Sequence, residues 1–125
     1  MNYLRSKEPI INSNQNANNK EIESLSLTET LCICSCGSFE NCTSLKNVYF
    51  GLDISRIGNR TFANCKNLTD VWFAITDENK IVEIAEDAFY GCSKQITFHI
   101  FVSAIKNKYL NEYAKRHNFK VAGMI

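Results

Sequence analysis

Apolar and polar side chains alternate along Asn47, Val48, Tyr49 and Phe50, and the alternation returns as Asp70, Val71, Trp72, Phe73 and as Thr97, Phe98, His99, Ile100. A period of two marks a β-strand with one buried face, so each segment predicts a short strand with Val48, Phe50, Val71, Phe73, Phe98 and Ile100 turned inward. A second pattern lies near the C-terminus. Leu110, Tyr113, Ala114 and His117 recur at i, i+3, i+4 and i+7, one face of a helix, and Asn107 stands where an N-cap belongs.

The strand segments belong to a longer repeat. Phe39, Cys42, Leu45, Val48 and Phe50 are matched 23 residues later by Phe62, Cys65, Leu68, Val71 and Phe73. A third copy carries Phe89, Cys92 and Phe98 at an offset of 27, with the four extra residues around Thr76–Asn79. Ile54 and Ile57 precede Phe62 as Ile81 and Ile84 precede Phe89. Upstream, Ile22, Leu25 and Leu27 fall 23 residues before Leu45, Val48 and Phe50, and Leu31 falls 23 before Ile54. The chain thus reads as about three and a half coils plus ends. A unit this short cannot bury its own apolar face, so burial comes from stacking Leu45 on Leu68, Val48 on Val71 and Phe50 on Phe73. The expected result is a parallel sheet with one strand per coil, with Phe62 and Phe89 as wedges on the opposite side and Gly58 and Gly91 in tight turns.

The pattern Ile-x-x-x-x-Phe-x-x-Cys-x-x-Leu-x-x-Val-x-Phe resembles the BspA-type (Treponema-type) leucine-rich repeat. The resemblance covers roughly residues 20–101 and implies a leucine-rich-repeat solenoid, of the α/β repeat class, built of short parallel strands with turns and short helical segments. Residues 102–125, with the helical stripe and the segment from Phe119 to Val121, resemble the helix and strand that close such arrays. Three departures stand out. Gln95 replaces Leu45 and Leu68, which weakens or re-registers the third coil. The proline that often follows the strand is absent. Cys34, Ser35, Cys36, Gly37 and Ser38 replace Ile57 to Thr61 in a degenerate first coil. Residues 1–19 hold an Asn/Ser/Gln stretch with nothing to bury, which predicts a flexible arm.

The repeat also explains most of the chemistry-bearing residues. Cys42, Cys65 and Cys92 share one repeat position, so their spacing predicts a buried column of reduced thiols acting as small apolar side chains. Cys32, Cys34 and Cys36 are not generated by the repeat. Alternate spacing puts them on one strand face, a patch that could serve as a thiol- or metal-dependent regulatory site, but no second cysteine pair completes a zinc motif. The expected role is to fill the degenerate first coil, with no metal and no cofactor bound. Only two histidines are present, no serine elbow and no glycine-rich phosphate loop, so no enzyme activity is expected. Asn41, Asn59 and Asn67 match the glycosylation acceptor pattern, as an Asn-rich chain does by chance.

Charge changes the picture little. A net charge of +1 gives no general attraction for nucleic acid or anionic membrane. It is segregated, however: Ile75–Tyr90 carries Asp77, Glu78, Glu83, Glu86 and Asp87 against Lys80, and Phe101–Ile125 carries Lys106, Lys108, Lys115, Arg116 and Lys120 against Glu112. No apolar run approaches the roughly 20 residues of a membrane span, and the N-terminus has no signal-peptide core, so a cytoplasmic protein is expected.

What remains is the outward sheet face. In repeat register Ser26, Tyr49, Trp72 and His99 form one column, and Ser24, Asn47, Asp70 and Thr97 the next. Aromatic rings beside small polar groups on a rigid surface match the composition of protein-binding hot spots. Tyr49, Trp72, His99, Asn47, Asp70 and Thr97 are therefore the candidate site for a protein partner. The alternative is strand-favouring residues sitting singly on a surface. The family resemblance adds a further expectation, a cell-surface adhesin exported by an unrecognised route.

Overall fold

The computed structural model describes residues 2–125, wound as a stacked array of about five turns. Six parallel strands form the larger sheet, in the order β1 (Tyr3–Arg5), β3 (Ser24–Leu27), β5 (Asn47–Phe50), β7 (Asp70–Phe73), β9 (Thr97–Phe101) and β10 (Lys120–Met124). Four two-residue strands form the opposite sheet: β2 (Ile10–Ile11), β4 (Cys32–Ile33), β6 (Arg56–Ile57) and β8 (Glu83–Ile84). The chain passes from β9 through a 3-10 turn at Val102–Ala104 and helix α1 (Lys108–Arg116) to β10.

The inward columns follow the alternation. Leu25, Val48, Val71 and Phe98 stack in register, as do Leu27, Phe50, Phe73 and Ile100, and all are buried. Behind them Phe39, Phe62 and Phe89 form a ladder with ring centroids 5.9 and 5.4 Å apart. These wedges fill the space between the sheets, so each coil is stabilised by its neighbours and not by itself.

On the turn side, Asn18, Asn41 and Asn64 occupy one repeat position at φ of 65°, 62° and 60°, and Gly91 takes the same position at 77°. Asparagine and glycine are the residues that enter this left-handed region at low cost. Main-chain N–H groups there donate to the next coil: Asn18 to Glu40, Asn41 to Ala63, and Asn64 to Tyr90, at 2.7, 2.9 and 2.6 Å. The cysteine column runs alongside. The thiols of Cys42, Cys65 and Cys92 donate to the carbonyls of Asn16, Phe39 and Phe62 at 3.4, 3.3 and 3.2 Å. Gly58 serves close approach and not a turn, since a Cβ there would lie 2.6 Å from the Ile33 carbonyl oxygen.

Four expectations are corrected. Of the stretch expected to be a free arm, residues 2–19 are described and belong to the array: β1 pairs with β3 and β2 with β4, and Ile11 is buried. The array is therefore longer than three and a half coils. The cysteines of the second coil do not fill it. Ile33 aligns with Ile57 at an offset of 24, so Ile33 points inward and Cys34 and Cys36 are exposed. Finally, Ile96 and Val82, not Gln95 and Ile81, are the buried residues of the last coils, each one position later than the strict repeat.

The cap closes the C-terminal end. Asn107 accepts from the Leu110 N–H at 3.2 Å, and Leu110, Tyr113 and Ala114 face the core. Strand β10 pairs with β9 in register from Lys120–Thr97 to Met124–Phe101.

Candidate functional site

The outward column forms as its register requires. Ser26 pairs with Tyr49, Tyr49 with Trp72, and Trp72 with His99. Parallel strands without stagger place identical positions about 4.8 Å apart, which is close to the thickness of two stacked π-systems plus a tilt. The rings adopt that arrangement. Tyr49 and Trp72 lie 4.7 Å apart at 13°, and Trp72 and His99 4.5 Å apart at 11°. All three are half-buried, so each ring spends its faces on its neighbours and offers its edge to solvent. Offset stacks of this kind add about 0.5–1.5 kcal/mol per pair beyond burial.

The neighbouring column fixes the end of the stack. His99 Nε2 lies 2.7 Å from Asp70 Oδ1, and Thr69 Oγ donates to Asp70 Oδ2 at 2.7 Å. Burial works to raise the Asp70 carboxyl, but the hydrogen bonds from His99 and Thr69 outweigh it and the group titrates below its ordinary range. Asn47 donates to Ser24 Oγ at 3.4 Å in the same column, and Thr97 follows Asp70 in register. The six residues singled out in the sequence are thus brought to one face.

The sequence reading missed the continuation of that face. Ala122 pairs with His99 and extends the aromatic column, Lys120 pairs with Thr97, and Met124 pairs with Phe101 at the next outward position. Lys120, Val121 and Ala122 follow Thr97, Phe98 and His99 by 23 residues, the repeat's own offset, which was the available signal.

Other clusters offer less. Cys32 is half-buried on the outer side of the small sheet, beside Arg56, Lys80 and Glu83 in a shallow groove. Burial, then the hydrogen bond and charge of Cys34, push its thiol up to about 11. Among the described residues no group of three or more His, Cys, Asp or Glu side chains is arranged to hold a metal ion. A cavity of about 390 Å³ at the cap is lined by Glu86, Asp87, Cys92 and His117, among others. His117 is engaged by Glu86 at 3.1 Å and stacks on Tyr113 at 4.0 Å. The Cys92 thiol is spent on Phe62 and pushed up to about 11 by burial, so the pair is not set as nucleophile and base.

The BspA type leucine rich repeat region family matches residues 9–122 in six copies. The chain belongs to the BspA-type leucine-rich-repeat family. The match begins at residue 9, eleven before residue 20, and ends within β10, so it takes in five of the six strands of the larger sheet and leaves β1 outside. No curated protein and no solved structure matches the chain significantly. Membership of the BspA-type family suggests a protein-interaction or adhesion-type repeat module. Among the described residues, no helix is long and apolar enough to cross a membrane.

Proposed function

We propose that this BspA-type array is a non-catalytic module that binds a protein partner through the outward face of its larger sheet. Tyr49, Trp72 and His99 are the anchors, and Asn47, Asp70 and Thr97 supply directional hydrogen bonds around them. The observation that carries the reading is the continuous half-buried stack of three rings on a rigid sheet. Its side chains are already ordered by stacking and by the Asp70–His99 bond, so little side-chain entropy opposes docking. Aromatic residues of this kind are the usual hot spots of interfaces, each worth about 2 kcal/mol or more on truncation.

The test is an affinity pull-down with wild type beside Trp72→Ala and Tyr49→Ser. Both variants should remain folded and lose the partner, about thirtyfold in affinity for the tryptophan change. Capture of the same partners by all three proteins would remove this face from consideration. Fractionation of the producing cells distinguishes a cytoplasmic protein from one displayed at the cell surface.

A further inference from the structure

The fold divides the cysteines that the repeat does not generate. Ile33 is fully buried between Cys32 and Cys34, so these two side chains leave the same outer face of β4. The ladder runs on through Cys34, whose N–H donates to the Ile11 carbonyl at 2.9 Å, so the backbone between them stays extended. Their thiols are hydrogen-bonded to one another, Cys34 exposed and Cys32 half-buried. Cys36 has already entered the turn before Gly37, on the side of Arg60. The thiols of Cys42, Cys65 and Cys92 are spent on main-chain carbonyls. Cys32 and Cys34 are thus a contacting pair of thiols within reach of solvent.

Two residues apart on an extended strand, their Cα atoms lie about 6.6 Å from one another, at the upper end of what a disulfide spans. A bond closed there is strained, and strained, exposed disulfides exchange readily where structural ones resist reduction. Beside Cys32 lies an open groove walled by Arg56, Asn79 and Lys80. Asn79 belongs to the four-residue insertion, and Asn107 of the cap fixes that wall by donating to the Lys80 carbonyl at 2.8 Å. The groove gives a released thiol room to depart.

We propose that Cys34 and Cys32 are a dithiol exchange site that takes oxidising equivalents from a low-molecular-weight disulfide, with Cys34 the attacking thiol and Cys32 the resolving one. The Cys34 thiolate attacks one sulfur of the disulfide RSSR. A Cys34–S–S–R bond forms, the reagent's own S–S bond breaks, and the departing RS⁻ takes up the proton that Cys34 lost. Cys32 then attacks the Cys34 sulfur, the Cys32–Cys34 bond forms, and a second RS⁻ leaves with the Cys32 proton. Two thiols of the chain are oxidised, and one RSSR is reduced to two RSH. The order follows from exposure and from what holds the Cys32 proton. Burial, then the hydrogen bond and charge of Cys34, push that thiol up to about 11. The first step consumes the Cys34 thiol, which removes both of its contributions and frees Cys32 to act second. The site lies on the smaller sheet and stands apart from the ring stack.

The test uses the full chain carrying Cys36→Ser, reduced, then exposed to glutathione disulfide at neutral pH and followed by peptide mass mapping. The mixed disulfide at Cys34 should rise, then fall as a Cys32–Cys34 disulfide replaces it, and excess reduced glutathione should reverse the change. Adding Cys32→Ser should hold the mixed disulfide at Cys34 at least about tenfold above its final level in the parent. Adding Cys34→Ser should slow reaction at Cys32 by at least about tenfold. Should either variant fail to fold, the parent's time course decides. A mixed disulfide that persists in the parent, one that never forms, or reaction first at Cys32 overturns the proposal. So does modification of Cys42, Cys65 or Cys92 ahead of Cys34.

Discussion

The Tyr113 hydroxyl lies 2.9 Å from the carbonyl oxygen of Ala85, which also accepts from the Ala88 N–H of its own turn at 3.0 Å. One position earlier, successive coils are joined by backbone alone: Cys34 donates to Ile11, and Ala85 itself to Ile57, both at 2.9 Å. The phenol thus ties the cap helix to the turn of the last coil, and its ring is buried against Phe98, Phe89 and Phe119. Burial pushes the hydroxyl pKa up, which keeps it a donor.

Two variants separate these roles. Tyr113→Phe keeps the ring and removes the bond from the cap to the Ala85 carbonyl, which retains the Ala88 N–H, and should cost about 0.5–1.5 kcal/mol. Tyr113→Ala also opens a cavity under the last coil and should cost about 3–5 kcal/mol. Chemical denaturation reads both. A phenylalanine variant as stable as wild type would show that the hydroxyl ties nothing.

How much of this was legible depended on whether the period held. From Phe39 to Phe73 the offset is a constant 23, and every inward and outward position there follows from the sequence. At the N-terminus the offset drifts. Leu4 aligns with Leu25 at 21, Ile11 with Ile33 at 22, and Asn18 with Asn41 at 23. No single shift reveals that coil, and Asn16 stands where later coils have a phenylalanine wedge. The polar stretch that suggested an arm is the turn column itself, for which asparagine is suited because it tolerates positive φ. Cys32, Cys34 and Cys36 were misplaced for a related reason: one residue fewer before Ile33, made up again before Phe39, turns the coil half a strand period. The candidate site was legible as a set of outward residues. The ring stacking and the Asp70–His99 bond were not, because side-chain rotamers follow from contacts and not from spacing.

The cysteines should divide into two classes. Cys34 and Cys36 are exposed, whereas Cys42 and Cys65 are buried and Cys92 nearly so. Burial raises the thiols of all three column residues, Cys92 to about 11. A thiol reagent at neutral pH should modify Cys34 and Cys36 readily and the column only after unfolding. The unfolded chain ionises these thiols near 9 and the folded chain higher, so above pH 9 the unfolded state loses protons first. Stability should be flat below that point and fall as pH rises towards about 11. Cys65→Ala should flatten the decline, and a disulfide found within the column by mass spectrometry would defeat the assignment.

Trp72 reports on the sheet face because it lies between two rings. Its loss removes a stack with Tyr49 and another with His99, so Trp72→Ala should cost about 1–3 kcal/mol, more than an isolated surface ring. The emission maximum should be intermediate between buried and exposed indole; a fully buried spectrum would place the wrong face outward. Asp70 adds a pH dependence of definite sign. Its carboxyl titrates below the ordinary 3.8, so its contribution to stability is complete above that value and is lost as pH falls through the lowered one. Asp70→Asn should therefore melt below wild type at neutral pH, and the gap should close in acid. The same variant frees the His99 ring, so Trp72 emission should change although no atom of the indole is touched. A gap that persists unchanged to pH 2, with Trp72 emission unaltered, would mean that Asp70 acts only through local packing and that the stack is not held by its carboxylate.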